Sequence, residues 1–537
     1  MVQKPLSTII TLTILLSTIV FANAPRLANA GLATLITSDT IWAKAESPIS
    51  LTGNVVVNNS ATLTIEPGVI VNLEDNYLRF EGEATLIAKG TATDKIVFNG
   101  KGSQATISTL FCNPWNQQTS SGSIIEYAVF NMNSFSASNI KVVNSEFNCS
   151  IAVNSDSNGI FSNNNVNAPR FLAAGTAKIS HNTINSDVEI DSFPTVEYNA
   201  IKGDVSFSGS DNSRQILAYN TIDGDIIQFH GSPTISHNTI NGEVKLSGEP
   251  STVYSNTIYG GISVSDVQTA IQNNKIIGAQ VGIGIGAIYK HLDITISENS
   301  IINCNKGISA APNYASGGRI SLAIKGNLIK GNNYGINLDS DVDAVIQNNL
   351  IDSNKFGVLY GKTIEHNTIV NNDIGVASFG TITYNNFENN NYSVSIGHEA
   401  WTSSSINVNN NWWGTTDEQA IGLTLYDNKY NFELGTIQFK PYLTSPDTQA
   451  PSKTYTPPDE PTEILEPSPN NSPTPTPTLP STTKTPTPPP TQAQTSTPLG
   501  ENTQIGPDLT QIIIVSVIVI AVVSVCLNIV LFRRRKR

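Results

Sequence analysis

One short phrase constrains this chain more than any other property. It is Asn, any residue, then a large apolar residue, returning at near-constant spacing. It reads Asn182-Thr-Ile184, Asn199-Ala-Ile201, Asn220-Thr-Ile222, Asn238-Thr-Ile240, Asn256-Thr-Ile258 and Asn274-Lys-Ile276. It continues through Asn299-Ser-Ile301, Asn327-Leu-Ile329, Asn349-Leu-Ile351 and Asn367-Thr-Ile369, and fades at Asn385-Asn-Phe387. Successive first asparagines lie 17, 21, 18, 18, 18, 25, 28, 22, 18 and 18 residues apart, and Asn164-Asn-Val166 adds a copy 18 residues upstream. A period near 20 specifies a solenoid of stacked coils. Function then sits on a long lateral surface rather than in one central pocket.

Each period carries short β-type runs parted by polar turns, such as Val188-Glu-Ile190, Val205-Ser-Phe207 and Val244-Lys-Leu246. Alternation in runs this short predicts strands with one buried face. About 20 residues suffice for one turn of a parallel β-helix and not for two α-helices. The isoleucines from Ile184 to Ile369 are expected to form an inward column, each packing on its copy about 4.8 Å away. The asparagines are expected to form an amide ladder in a turn, a structural role and not a ligand-binding one. From Asn274 onward Gly recurs eight residues after the Asn, at Gly282, Gly307, Gly335, Gly357 and Gly375, which suggests a positive-φ turn before a strand. Residues 49–98 read as the start of the same helix, with strands parted by turns such as Glu66-Pro-Gly68, whereas 101–160 are less regular around Trp115. About 16 coils would give a solenoid roughly 75 Å long. Open ends must be covered; the segment near 405–443, with Asn409-Asn-Asn-Trp-Trp-Gly and Ile437-Gln-Phe-Lys-Pro-Tyr442, is the expected C-terminal cap.

The termini are of different material. Residues 1–30 combine Lys4, an apolar run from Leu6 to Phe21 and small-residue sites, the pattern of a secretory signal cleaved before Gly31. The β-helix domain is assigned to 31–445. Residues 446–511, rich in Pro and Thr, cannot bury a core and read as a disordered, O-glycosylated stalk. Ile512 to Phe532 is uncharged and long enough to span a membrane as one helix. The basic 533–537 tail places itself in the cytoplasm and the rest outside. The formal charge is -13. Leaving out the two basic residues of 1–30 and the five of 533–537 makes the outer part -20, which excludes nucleic acid as a partner class. Cys112 and Cys149 are spaced to permit a bridge in an oxidising exterior, and Cys304 reads as a small buried residue. Asn58, Asn148, Asn391 and Asn470 head N-glycosylation sequons.

Ala61-Thr-Leu-Thr-Ile-Glu-Pro-Gly68, the Asn-x-Ile coils with Gly-Ile or Gly-Val, and the closing Asn-Asn-Trp-Trp-Gly-Thr together resemble right-handed parallel β-helix proteins. The similarity is to the pectate-lyase-like superfamily and its NosD-type repeat domains, over about residues 40–445. It implies an all-β, right-handed parallel β-helix solenoid. The functions it implies are diverse: polysaccharide lyases, glycosidases, epimerases, copper-accessory proteins and non-catalytic surface proteins. The full plan, with stalk, span and basic tail, resembles archaeal cell-surface proteins.

The same repeat locates a candidate site. Five residues after the repeat Asn stand Asp187, Asp204, Asp225 and Glu243, in four consecutive coils. In-register stacking would make an outward column of carboxylates about 5 Å apart, whose repulsion Ca²⁺ could offset; a solvated acidic edge relieved by Lys202 and Lys245 is the plainer alternative. Paired carboxylates also keep a glycosidase in view, but no sequence cluster joins paired acids to an Arg, since Arg170, Arg214 and Arg319 fall in different coils. Copper handling needs His, Cys or Met; His181 and His237 are three coils apart, and Met1 and Met132 are the only methionines. The expectation is a membrane-anchored, non-catalytic surface protein that contacts an extracellular polysaccharide or another cell-surface component and requires no cofactor. A tethered polysaccharide lyase or hydrolase is the alternative, and a copper-accessory role ranks below it.

Overall fold

The computed structural model describes residues 33–465, apart from 156–158 and 211–212. The signal-like segment, the stretch from 466 onward, the apolar run 512–532 and the basic tail lie outside the described residues. So does the sequon at Asn470.

The chain winds into a parallel β-solenoid of 17 turns, of the right-handed type general for parallel crossovers. Each turn gives one short strand to each of three parallel sheets. In one turn these are Val188–Ile190, Thr195–Glu197 and Ala200–Ile201, and the next turn begins with Val205–Phe207 paired on Val188–Ile190. The stack grows by one strand per sheet per turn, so strands neighbouring in a sheet come from successive coils.

The inward column forms as expected. Ile184, Ile201, Ile222, Ile240, Ile258, Ile276, Ile301, Ile329, Ile351 and Ile369 lie in register along the third sheet, all buried. The irregular region 101–160 joins the same stack because phenylalanine fills the column there. Phe98, Phe130 and Phe147 stack at 5.0 and 4.5 Å between ring centroids. The segment around Trp115 is an enlarged turn between Thr106–Ser108 and Ile124–Glu126, with the buried indole under Lys141.

The ladder runs from Asn164 to Asn411 in the turn between the second and third sheets. Asn299 shows its chemistry. Its Nδ2 donates to the carbonyls of Ile271 (3.1 Å) and Ser297 (2.9 Å) and to Oδ1 of Asn327 (3.1 Å). Its own Oδ1 accepts from the N–H and the amide of Asn274. Buried turn groups are thereby satisfied. A second ladder, Asn332, Asn354, Asn372 and Asn390, runs beside it, and Cys304 precedes it, donating its N–H to Asn332.

The recurring glycines have a different cause from the one predicted. Gly282, Gly307, Gly335, Gly357 and Gly375 do not adopt positive φ. A Cβ at each would sit 2.4–2.6 Å from a carbonyl oxygen of the next coil. Close backbone approach, and not turn geometry, requires glycine there. The thiols of Cys112, Cys149 and Cys304 are free and buried, so the permitted bridge is not made; burial pushes the Cys149 thiol up to about 12.

The closing segment covers the C-terminal end of the stack. Asn411 receives the last ladder bond from Asn385, Trp413 stacks on Phe387 at 4.9 Å, and the short helix Glu418–Leu423 follows behind an Asp417 cap. The chain does not leave at 445. Residues 446–465, assigned by composition to the stalk, return along the ladder turns as a strap. Asp447 meets His366 at 2.8 Å, the Tyr455 hydroxyl donates to the Gly326 carbonyl at 2.7 Å, and the Tyr455 ring covers Leu328, Leu350 and Val370.

Candidate functional site

The four acids do form one column, at the turn between the third and first sheets. The first three carboxylates are each tied to the backbone of the following coil. Asp187 accepts the N–H of Asp204 (2.9 Å), Asp204 that of Asp225 (2.8 Å), and Asp225 that of Glu243 (2.8 Å). Lys245 adds ion pairs to Asp225 at 2.6 Å and Glu243 at 3.7 Å. The Lys245 hydrogen bond, followed by the Glu243 N–H, holds the Asp225 carboxyl below the usual carboxylate range. These N–H dipoles and the ammonium relieve part of the mutual repulsion. Among the described residues, no three His, Cys, Asp or Glu side chains meet in a geometry that could hold a metal. Asp191 and Glu189 lie off the column, and Glu189 pairs with Arg170.

The histidines also find structural partners. The residue before each ladder Asn adopts positive φ, +58° at His181 and +57° at His237. This throws its side chain onto the surface in a second column. His181, Tyr198, Tyr219 and His237 stack at 5.2, 4.9 and 4.6 Å. The ring faces cover one another, which leaves edges for solvent. His230 and His237 belong to one coil and flank the strand Thr234–Ser236. The strap reads this same column. Its residues contact His237, Ser255, Asn273, Glu298, Gly326, Asn348 and His366, the positions preceding consecutive ladder asparagines.

A concavity lies elsewhere, on the outer face of the second sheet. It is a groove of about 430 Å³ over the coils where the period lengthens to 25 and 28 residues. Its floor holds Ala270, Thr295, Ala323 and Val345, and Leu465 of the strap stands at one wall, its N–H bonded to Gln272 at 2.9 Å. Asp293, Ser321 and Asp343 form a single outward column through it. Asp293 meets His291 at 3.0 Å, Ser321 lies 3.4 Å from the same imidazole, and Asp343 meets Lys362 at 2.9 Å. Arg319 is in register with His291, with its guanidinium over the Tyr314 ring. The two carboxylates are 44% and 51% exposed. Each lies at the surface beside an imidazole or ammonium partner.

The sequence offered a signal for this groove that went unused. Counting six residues back from Asn299, Asn327 and Asn349 gives Asp293, Ser321 and Asp343. No family model, no curated protein and no solved structure matches this chain.

Proposed function

We propose that this chain is a non-catalytic binding protein of the cell surface, holding an extended polysaccharide along the outside of its solenoid. The observation that carries this reading is the groove over the second sheet. It is open, floored by small and hydroxyl-bearing side chains, and edged by carboxylates already paired with His291 and Lys362. Such a surface offers hydrogen bonds in rows and no isolated acid or base. The signal-like start, the Pro/Thr-rich stretch, the apolar run and the basic end support export and a single membrane anchor, with the solenoid outside. The Asn-x-Ile coils, with their likeness to NosD-type and pectate-lyase-like domains, agree with a carbohydrate setting.

A hydrolase is the second reading, favoured by one feature. Asp293 and Asp343 are two strands apart in one column, about 9.6 Å by strand spacing, near the wide separation of inverting glycosidases. A Ca²⁺ role for Asp187, Asp204, Asp225 and Glu243 is the weaker proposal, because each of the first three already binds backbone. A copper-accessory role is weaker still, since His181, His237 and His366 stack on tyrosines.

The test is to incubate the full chain with a panel of neutral and acidic polysaccharides, with and without Ca²⁺, following both retention and reducing ends. Binding without turnover, weakened in Asp293→Ala and Asp343→Ala, is the expected result. Turnover abolished by either substitution would replace the binding reading with the hydrolase.

A further inference from the structure

The third sheet also carries an exposed amide ladder that the Asn-x-Ile phrase does not contain. Asn72, Asn99, Asn131, Asn148, Asn167 and Asn185 stand in one outward column on successive coils. Each donates Nδ2 to Oδ1 of the residue before it. The distances are 3.2 Å for Asn99 to Asn72, 3.3 Å for Asn131 to Asn99, 2.8 Å for Asn148 to Asn131, 3.4 Å for Asn167 to Asn148 and 2.7 Å for Asn185 to Asn167. Asn72 continues the chain to Ser50 at 3.2 Å.

The buried ladder and this one differ in what remains free. Asn299 has its amide donors and oxygen engaged within the protein. An amide has two N–H donors and two lone pairs. Each interior member of the surface ladder uses one of each on its neighbours. One N–H and one lone pair are left at every coil, directed at solvent and repeated about every 4.8 Å.

Two further observations point to a ligand. Beside the first three amides runs an apolar strip, Ile70, Val97 and Val129, in register on the same outer face. Ile70 is 37% exposed. The amides Asn72, Asn99 and Asn131, with Glu74, Gly100 and Lys101, also line a concavity of about 430 Å³. A donor and an acceptor per coil next to an apolar strip match a sugar ring. Vicinal hydroxyls meet the amide, and the C–H face covers the aliphatic groups. In an extended ribbon-like β-linked glycan, the step per sugar is close to the spacing of the coils. A net charge of -13 disfavours a polyanion.

We infer that the Asn72–Asn185 column, with Ile70, Val97 and Val129, is a binding track for a neutral, extended, β-linked polysaccharide lying along the solenoid axis. It rests on the polysaccharide-binding reading above, but on a different sheet from the groove.

The experiment measures retention of the full-length chain on cellulose and on chitin, with soluble pectate as the polyanionic contrast. The double variant Asn99→Asp/Asn131→Asp keeps size and acceptor while removing two donors. It is expected to weaken retention on cellulose or chitin roughly tenfold, with the β-sheet signal in circular dichroism retained. Val97→Thr, which leaves the amides intact, is expected to weaken it severalfold. Undiminished retention in both track variants would overturn the inference, as would tighter binding to pectate than to either neutral polymer. If Asp293→Ala abolishes retention while the track variants do not, the groove is the glycan site and the track is not. Absence of retention on either neutral polymer, together with groove-dependent binding of an acidic one, would sink the track and leave the groove reading standing.

Discussion

A single ladder asparagine does more than its place in a turn suggests. Asn299 closes a loop of hydrogen bonds through three coils, with no solvent to replace a lost partner. Asn299→Leu leaves the Ile271 and Ser297 carbonyls and the Asn274 amide without their partner. The expected cost is about 3 kcal/mol, read as a drop in melting temperature. Asn185→Ala, at the exposed end of the surface ladder, is expected to cost less than about 1 kcal/mol. Equal losses would show that burial does not govern the ladder's energetics. Asp225 gives a pH-dependent counterpart. Its folded-state pKa is depressed, so its stabilisation is present above the ordinary aspartate value and lost as pH falls through the lowered one. Asn at this position keeps an oxygen for the Glu243 N–H but loses the charge facing Lys245. Wild type should therefore melt above Asp225→Asn at neutral pH, and the gap should close as the pH falls into the strongly acid range. A gap independent of pH would remove the assigned role of the ion pair. At this scale the sequence was informative about the buried Asn and Ile. It was silent on glycine, because a requirement for space and one for positive φ leave the same letter.

The element least legible in the sequence is the strap. Pro/Thr-rich composition cannot make a core of its own, which is sound physics for an isolated segment. Residues 446–465 do not need one. They borrow a surface, bonding through backbone carbonyls of Gln449, Pro451 and Pro458 to Asn348, Thr368 and Asn273. Tyr455 is the one side chain of the strap that fills an apolar site, over Leu328, Leu350 and Val370. Tyr455→Ala should accelerate tryptic cleavage after Lys453 severalfold while the solenoid's melting temperature barely moves. A large fall in that temperature would mean that the strap is integral to the stack rather than laid upon it. The groove shows a different limit. Its acids were within reach of the repeat ruler, yet which side of the coil to count on depends on where the lengthened turns and the strap raise walls. Neither can be read from spacing.

Across the whole molecule, long-range order comes from neighbours alone. Interior coils pair with the coil before and the coil after, and the Ile column from Ile184 to Ile369 and the Asn column from Asn164 to Asn411 run unbroken across the changes in turn length there. This is why the repeat phrase revealed the fold over most of the chain, and why coils with Phe in place of Ile still joined the stack although their letters differed. The surface functions are carried by positions the columns do not constrain, and so leave no periodic signature of comparable strength. Nearest-neighbour coupling also has a measurable consequence. In a quasi-one-dimensional stack, stability is a sum of coil terms and interface terms, and damage stays near its origin. Ile240→Asp places an unpaired charge in the buried column. Hydrogen exchange followed by mass spectrometry should then show lost protection in the adjoining coils, from about Asn220 to Asn256. The stacked phenylalanines Phe98 to Phe147 and the cap around Trp413 should exchange as in wild type. Uniform loss of protection along the whole stack would instead establish a single cooperative unit. Substitutions in the groove or on the amide track could then no longer be treated as independent of the coils far from them.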